Sequence, residues 1–396
     1  EKLWTTDFVL NLLTAHFIFT SYTSLFTILP PYVLDRGGRE WQIGMVIGSF
    51  GVVSLVVRPF AGRWTAVFGP RIVAGVGAAI FALAGVLYIG AVNVWLLLPV
   101  RMLQGIGMAL TPVATATIAA NLAPAARRAE GMAHVGNSIA ACYLYAPVVA
   151  FWLRTEFDFP AAFLFGASSA LLASVLAFRM SFERTRGPAG DASDQRVPLV
   201  SRRALFPAGV FATYTVTTAP IATFLPLLAD DRALGNPGLF FTVYSVTTIL
   251  AMSLGGPLSD RAGRGAVIVP GLLATTAAMF LLSVASRQSV FLAAGFLTGT
   301  GFGLIQPGMQ SLTVDRVAPR ERGPALATLQ QAWDVGGSGG AFVLGPIGGL
   351  LSVGATFAIV GVGTIAGVFG FLVGNAMSPT ALPRRREVPP TGGARP

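Results

Sequence analysis

Two ionisable side chains lie deep in apolar stretches of this sequence, where they could bind a solute or carry a proton. Arg101 lies about six residues into the stretch 95–117, and Asp334 lies about ten residues into the stretch 325–350. A charge at such depth in a membrane costs at least about 2.5–3.5 kcal/mol unless it faces a cavity or a partner. We therefore predict that Asp334 exchanges a proton and that Arg101 tunes that site electrostatically.

Structural roles remain open for both residues. Arg101 could donate hydrogen bonds to nearby backbone, and Asp334 could be a static buried group held by Arg101 or by a helix end. His16 lies near the middle of the stretch 8–29 and is a candidate second titrating group, although a lone histidine there is more often a packing residue. Two histidines and the single Cys142 do not form a metal cage. We predict no metal and no other cofactor, with a proton gradient as the energy source.

The composition indicates the class of protein in which these ionisable residues lie. Of the 396 residues, 54% are hydrophobic and 11% are charged, with a mean hydropathy of +0.69, whereas an ordinary soluble domain has about 25% charged residues. A membrane-spanning helix needs about 20 mostly apolar residues. Runs of this kind predict an all-α membrane protein of twelve transmembrane helices over 8–29, 41–61, 72–92, 95–117, 130–152, 161–180, 204–228, 238–258, 266–285, 289–312, 325–350 and 354–377.

The basic residues follow the parity of the loops between these spans. If the N-terminus is cytoplasmic, the inside segments hold 21 Lys and Arg residues and the outside segments hold 5, with Arg101 left within a span. This bias matches the positive-inside rule. We predict a multi-pass protein of a bacterial-type cytoplasmic (inner) membrane with both termini in the cytoplasm. The net charge of +10 therefore does not call for a nucleic-acid partner.

The chain also repeats itself. Leu103-Gln104-Gly105-Ile106-Gly107 recurs as Leu297-Thr298-Gly299-Thr300-Gly301, and Thr27-Ile28-Leu29-Pro30 recurs as Thr223-Phe224-Leu225-Pro226. Parallel repeats are an architecture of secondary transporters, with the binding site between the halves. We predict two pseudo-symmetric six-helix bundles over 1–180 and 204–378, a cytoplasmic linker over 181–203 and a basic cytoplasmic tail over 379–396.

The loop after span eight reads Gly256-Pro257-Leu258-Ser259-Asp260-Arg261-Ala262-Gly263-Arg264. It resembles the loop signature of the major facilitator superfamily, Gly-x-x-x-Asp-Arg-x-Gly-Arg, and the resemblance covers nearly the whole chain. The copy after span two has Ala66 and Val67 in place of Asp and Arg. The resemblance implies a gate, with a charge latch that can break, made by Gly256, Asp260, Arg261, Gly263, Arg264, Arg58, Gly62, Arg63 and Arg71. Positive-inside charges and turn glycines are the simpler alternative.

Two further elements resemble the drug/proton antiporter branch of that superfamily. Arg101-Met102-Leu103-Gln104-Gly105 resembles its span-four element Arg-x-x-Gln-Gly. Gly345-Pro346-Ile347-Gly348-Gly349 resembles an antiporter element, although it lies in span eleven, and span five has Ala146-Pro147 instead. The resemblance implies proton-coupled efflux by alternating access between the two halves.

The remaining polar and aromatic residues of the spans are candidates for contact with the solute: Asn11, Tyr22, Gln104, Asn137, Tyr143, Tyr145, Tyr214, Tyr244, Gln306, Gln310, Gln330 and Trp333. So few charges suit a small apolar or amphipathic compound. A metabolite or sugar permease is the alternative, and a membrane sensor or enzyme is a remote one. We predict that the protein is not an enzyme and that it works as a monomer in the lipid bilayer.

Overall fold

The computed structural model describes residues 3–38, 40–181, 198–234, 237–340 and 352–377. Within these ranges the regular elements are all helices, which confirms the predicted all-α membrane fold. Most of the predicted linker, the predicted tail and the element at Gly345–Gly349 lie outside the described residues.

The first half contains five helices. α1 spans Thr6–Asp35 and begins where the Thr5 hydroxyl accepts a hydrogen bond from Phe8 N at 3.2 Å, an N-cap of the ordinary kind. The helices that follow are α2, Glu40–Phe68; α3, Pro70–Leu87; α4, Val94–Leu122; and α5, Arg128–Arg179. α5 covers two predicted spans, and Asp158 with φ 70° marks the break between them.

The second half begins with a divided span. α6, Leu205–Thr215, and α7, Thr218–Asp231, together occupy the predicted span 204–228. The others are α8, Pro237–Ala262; α9, Gly265–Val284; α10, Gln288–Asp315; α11, Arg322–Trp333; and α12, Val353–Met377. A π-helical turn over Asp334–Gly339 continues α11, and turns of this kind are frequent at functional sites.

The lengths of these helices agree with a multi-pass membrane protein. Ten helical segments among the described residues are long and apolar enough to cross a membrane. One of them, Ala125–Arg179, has 55 residues and accounts for two predicted spans. Leucine, valine and phenylalanine side chains cover much of the outer surface, which suits a protein surrounded by lipid rather than water.

Matching contacts between helices show that the two halves are structural repeats. A Cβ atom on Gly107 of α4 would lie 2.6 Å from the carbonyl oxygen of Gly77 in α3. A Cβ atom on Gly301 of α10 would lie 2.9 Å from the carbonyl oxygen of Gly271 in α9. The members of both pairs are related by the same 194-residue separation along the chain. Small residues let helix backbones approach closely in membranes, and here they do so at equivalent places in each half.

Candidate transport site and gate

A buried ion pair joins the two halves. Arg58 of α2 donates from Nε to Oδ2 of Asp334 at 2.7 Å and from Nη2 to Oδ1 at 3.0 Å. Only 7% of the Arg58 side chain and 9% of the Asp334 side chain are exposed. Ser54, one helical turn before Arg58, accepts a further hydrogen bond from Nη2 at 2.8 Å. Two parallel hydrogen bonds between opposite charges form the strongest common side-chain contact.

The pair lies deep in the bundle. Arg58 precedes the end of α2 by ten residues and Asp334 follows the start of α11 by twelve, or roughly 15 Å and 18 Å at 1.5 Å per residue. The sequence groups Arg58 with the loop signature and leaves Arg101 or a helix end as alternatives for holding a static Asp334. The structure pairs Asp334 with Arg58, and electrostatic tuning by Arg101 stays a prediction. The signal in the sequence was that Arg58 still falls inside the apolar run 41–61.

From this pair, α2 and α11 pack together toward one end of the bundle. We call it the basic end; it is formed by the α2–α3, α4–α5, α8–α9 and α10–α11 connections. A Cβ atom on Gly62 would lie 2.6 Å from Ala327 Cβ and 2.8 Å from Pro324 Cα. The backbones are therefore in direct contact across the two halves, and no side chain larger than hydrogen fits at Gly62.

The equivalent contact on the other side of the bundle joins α5 and α8. A Cβ atom on Gly256 would lie 2.9 Å from both Ala133 Cβ and Glu130 Cα. Just beyond it, the Asp260 carboxylate accepts hydrogen bonds from the backbone N–H groups of Ala129 and Glu130, both at 3.0 Å. These are orphan donors at the start of α5, and the helix dipole favours a negative charge there. Asp260 thus caps a helix of the opposite half.

Arginines surround this cap. Arg264 donates to Asp260 at 2.5 Å and to Asp315 at 2.9 Å, and Arg128 of the first half also donates to Asp315. Burial alone would lower the pKa of Arg264, and Asp315 and Asp260 outweigh it and hold the pKa above its ordinary value. The connection between α8 and α9 therefore forms a continuous charge network with the first half at the basic end.

A further arginine joins the halves beside α4. Arg322 donates to the carbonyl oxygen of Ala120 at 3.1 Å and to Asn121 Oδ1 at 2.6 Å. Burial, with a smaller contribution from Arg128, lowers the pKa of Arg322 to about 10. The guanidinium group stays charged at neutral pH, so this contact persists across the physiological range.

The other predicted gate residues do not enter the network. Arg63 and Arg261 are exposed, and Nε of Arg71 is buried without a partner in the described chain. Gly263 has φ +93°, a conformation that favours glycine and turns the chain from α8 into α9. Gly69, between α2 and α3, has φ +91° and plays the same part in the first half.

Arg101 lies in a separate environment. It is fully buried and donates from Nη1 to Gln104 Oε1 at 2.5 Å, and Tyr88 donates to the same oxygen at 2.8 Å. Its guanidinium carbon lies 4.4 Å from the ring centre of Phe50 and 5.8 Å from that of Phe26, within the range of a cation–π contact.

Aromatic side chains form stacked groups in both halves. Tyr22 stacks on Phe26 at 5.7 Å, and in the second half Phe302 stacks on Tyr214 at 5.9 Å and on Tyr244 at 6.2 Å. Trp333, next to Asp334, meets Phe302 edge-on at 5.8 Å.

Tyr22 of the first half lies near Arg101, Arg58 and Asp334. We use the name aromatic chamber for the region around Tyr22, Tyr143, Tyr244 and Trp333.

His16 belongs to a network inside the first half. Nδ1 lies 2.8 Å from the Ser138 carbonyl oxygen, which can only accept, so Nδ1 carries the proton. Nε2 lies 2.8 Å from the Tyr145 hydroxyl, which also lies 2.7 Å from Thr20 Oγ1. The arrangement joins α1 to α5 around His16. Its role as a second proton group stays a prediction.

The remaining candidates are dispersed. Asn11 is buried and donates to the Thr115 carbonyl oxygen at 3.1 Å, and Asn137 donates to Ser253 Oγ across the halves at 2.8 Å. Gln310 is buried, Gln306 and Gln330 are partly buried, and Oε1 of Gln306 has no partner in the described chain. Among the described residues, no three His, Cys, Asp or Glu side chains come together as a metal site would require.

The helical repeat and the charged contacts between halves define a polytopic membrane carrier of the secondary-transporter class. The family model of the Major Facilitator Superfamily matches residues 12–237 and 205–394. The chain belongs to this superfamily.

Named relatives are distant but cover most of the chain. Multidrug resistance protein 1 of Bacillus subtilis is 24% identical over 326 residues, which are 78% of this chain and 80% of that protein. A multi-drug resistance efflux pump PmrA homolog of Lactococcus lactis is 23% identical over 335 residues, covering 80% of this chain and 82% of its own length. The protein is thus a transporter resembling the drug-efflux branch, and not an enzyme.

Solved structures show the same fold. The human organic anion transporter MFSD10 superposes with a TM-score of 0.77 at 17% identity, covering 92% of this chain and 98% of its own. A bacterial homologue of the iron transporter ferroportin, in an outward-facing state, gives a TM-score of 0.76 at 16% identity over 94% of this chain and 100% of its own. At these identities the likeness concerns the fold alone.

Proposed function

We propose that this transporter exports a small apolar or amphipathic compound in exchange for protons, and that Asp334 is the proton carrier. The buried Arg58–Asp334 pair carries the proposal, because it joins the halves by charge at the bottom of the aromatic chamber. Protonation of Asp334 removes one charge of the pair and leaves a neutral acid facing Arg58. The contact between α2 and α11 then loses its main attraction.

The second step of the transport cycle depends on the packing between the Arg58–Asp334 pair and the basic end. With Asp334 neutral, the contacts that keep the basic end closed are the Gly62 packing, the Asp260 cap, the Arg128–Asp315 contact and the hydrogen bonds of Arg322. These contacts must break before the basic end opens. The basic end opens, Asp334 releases its proton there, and the pair with Arg58 forms again as the halves return.

The orientation of the protein in the membrane follows from the charges of its loops. We propose that the basic end faces the cytoplasm of a bacterial-type inner membrane, because arginines collect in the connections that form it. In this orientation the structure is closed to the cytoplasm. Protons that enter the aromatic chamber from outside reach Asp334 before the basic end opens, which is the order that antiport requires.

The substrate class rests on the chamber and on the relatives. Aromatic rings and few charges accommodate flat, largely apolar compounds. The relatives from Bacillus subtilis and Lactococcus lactis carry names of multidrug resistance and efflux. We propose the same general class for this chain, with the protein acting as a monomer and the proton gradient as the energy source.

The test is transport by purified protein in proteoliposomes with an imposed pH gradient. A panel of amphipathic fluorescent dyes is offered, and dye movement is followed with and without the gradient. Asp334→Asn keeps the size of the side chain and removes its titration, so gradient-driven movement should fall to the level of empty liposomes. Asp35→Asn, at an exposed carboxylate at the end of α1, is the matched control. Wild-type rates in Asp334→Asn would disprove the assignment of Asp334.

A further inference from the structure

Three hydrogen-bond donors lie buried together in the first half without an acceptor in the described chain. They are Nε and Nη2 of Arg101 and Nε2 of Gln104. Both side chains have 0% exposure. Buried donors in proteins nearly always have a partner, so a cluster of three points to an acceptor that arrives from outside the polypeptide.

The direction of the Gln104 amide is fixed by its neighbours. Its oxygen receives hydrogen bonds from Arg101 Nη1 at 2.5 Å and from the Tyr88 hydroxyl at 2.8 Å. Exchange of the amide oxygen and nitrogen would place the amide N–H groups against the Arg101 guanidinium, which can only donate, so the oxygen faces Arg101 and the N–H groups point away from it. Gln104 thus adds its donors to those of Arg101.

The edge of Arg101 that lacks a partner is the one that fits a carboxylate. Nε and Nη2 of a guanidinium group carry parallel N–H bonds, which match the two oxygens of a carboxylate. The same chain shows this contact in Arg58, whose Nε and Nη2 bind Asp334 at 2.7 and 3.0 Å. Arg127 binds Glu130 through the same two nitrogens.

Charge favours an anion at this place. Within the described residues, no carboxylate forms a salt bridge with Arg101, and Asp334 is already paired with Arg58. The Arg58–Asp334 pair balances its own charges, which leaves the charge of Arg101 without a partner. A monoanion would balance that charge, and a buried charge without a partner is unfavourable.

Aromatic rings determine which kind of anion fits. Phe50 and Phe26 cover the guanidinium group of Arg101, and Tyr22 contacts both rings at 5.6 and 5.7 Å. Phe26 is 39% exposed, so this group of rings has an open face. A flat apolar body would lie against the rings while its charged end reaches the donors behind them.

We propose that Arg101 and Gln104 form a carboxylate-binding subsite of the aromatic chamber, which receives the charged end of an aromatic carboxylate. The proposal rests on the transport function above and narrows its substrate class to anionic amphipathic compounds. Arg101 then contacts substrate directly rather than acting only through Asp334. The cation–π contacts with Phe50 and Phe26 hold the guanidinium plane in place for the incoming carboxylate.

Equilibrium binding to the purified full-length protein tests the subsite. The probes are 2-naphthoate and its neutral analogue 2-naphthamide, with affinity measured by quenching of tryptophan fluorescence and by thermal shift. The carboxylate should bind at least about tenfold more tightly than the amide, since hydrogen bonds to a charged partner exceed those to a neutral one. Equal affinities, as expected if water serves the three donors, would overturn the proposal without any variant.

Variants test whether Arg101 is the residue that binds the carboxylate. Arg101→Lys keeps the charge and removes the paired N–H edge, so it should lose about tenfold in naphthoate affinity. Arg101→Gln should abolish the preference for naphthoate over naphthamide. Arg154→Gln removes another arginine that lies on an aromatic ring, Phe159, and should change nothing. Unchanged naphthoate affinity in a folded Arg101→Lys protein would contradict the proposal.

The binding result is independent of proton coupling. If naphthoate binds through Arg101 and pH-driven transport fails, the subsite stands and the assignment of Asp334 falls. If gradient-driven dye transport succeeds and naphthoate shows no preference over naphthamide, the subsite falls and the transport proposal stands.

Discussion

Arg58 and Asp334 meet at a position where the internal repeat places Met252 and Ala140. Arg58 and Met252 are separated by 194 residues, as are Ala140 and Asp334, and this is also the separation of Gly62 and Gly256. The α2–α11 interface therefore carries a buried ion pair that the equivalent α5–α8 interface lacks. The reverse holds at the basic end, where Asp260 caps α5 and its counterpart Ala66 has no side chain that could cap α11.

The two interfaces thus carry their charged contacts at different depths. In the cycle that we propose, the deep pair is the contact that a proton breaks, whereas the Asp260 cap lies among arginines that stay charged at neutral pH. The proposal therefore assigns the link between proton binding and closure of the basic end to the Arg58–Asp334 pair.

The ion pair predicts a strong energetic coupling between its two residues. Removing one partner of a buried pair leaves the other charge unpaired and costs more than removing both. Arg58→Gln and Asp334→Asn should each destabilise the protein, and the double variant should be more stable than the sum predicts by about 1–3 kcal/mol. Thermal unfolding of the four proteins in nanodiscs measures the coupling. Additive effects would show that the pair does not hold the halves together.

A methyl group at Gly62 should open the basic end. Its Cβ would lie 2.6 to 2.9 Å from α11 atoms, including backbone, so Gly62→Ala requires the helices to separate. We expect the open population to rise about tenfold. Spin labels at Val67 and Arg320, both exposed at the basic end, report the separation in a Cys142→Ser background. Gly48→Ala, on the same helix with nothing within 4 Å, is the control and should leave the distance unchanged.

The Asp260 cap should protect the start of α5. Asp260→Asn removes the charge and places an amide N–H against one of the two backbone donors, which costs about 1 kcal/mol. Hydrogen exchange at the amides of Ala129 and Glu130 should therefore accelerate. Asp7→Asn alters a carboxylate that accepts from Ser181 N within the first half and should not change exchange at α5. Unchanged exchange in Asp260→Asn would mean that α5 does not need the cap.

The sequence predicted most of the fold because its signals are local. Apolar runs define the spans, and the spacing of Gly107 and Gly301 predicted the repeat that the structure displays in their contacts with Gly77 and Gly271. The division of the span 204–228 into α6 and α7 has one local cause in Pro220, which lacks the N–H that would bond to the Val216 carbonyl oxygen, but a proline within a span does not by itself show that the helix is interrupted. The break lies against the π-helical turn, where Gly336 packs on Thr215, and such packing is tertiary.

The partner of Asp334 could not be read from the sequence for a similar reason. Arg58 is 276 residues from Asp334 along the chain. The one unusual feature of Arg58 in the sequence is its depth within the apolar run 41–61. A sequence shows that a buried carboxylate needs a partner, but the choice between Arg58 and Arg101 depends on how α2 and α11 face each other. Arg101 lies on α4 among rings from α1 and α2 and does not contact Asp334.

Hydrogen bonding around His16 should support the first half. Tyr145→Phe removes the hydroxyl that contacts Nε2 and should lower stability by about 1 kcal/mol. Tyr143→Phe is the control, because the Tyr143 side chain lies on the same helix and is half exposed. Thermal unfolding of the two variants compares them. Equal stability of both with wild type would show that the His16–Tyr145 contact does not hold α1 on α5.

The central claim is that protonation of Asp334 releases Arg58 and opens the basic end. Distance measurements between spin labels at Val67 and Arg320 in lipid nanodiscs test it most directly, since they need no substrate. The labels in the wild-type protein should be close in mildly alkaline buffer and move apart as the buffer becomes acidic. Asp334→Asn should show the longer distance throughout. A distance that is insensitive to pH in wild type, or unchanged by Asp334→Asn, would contradict the account.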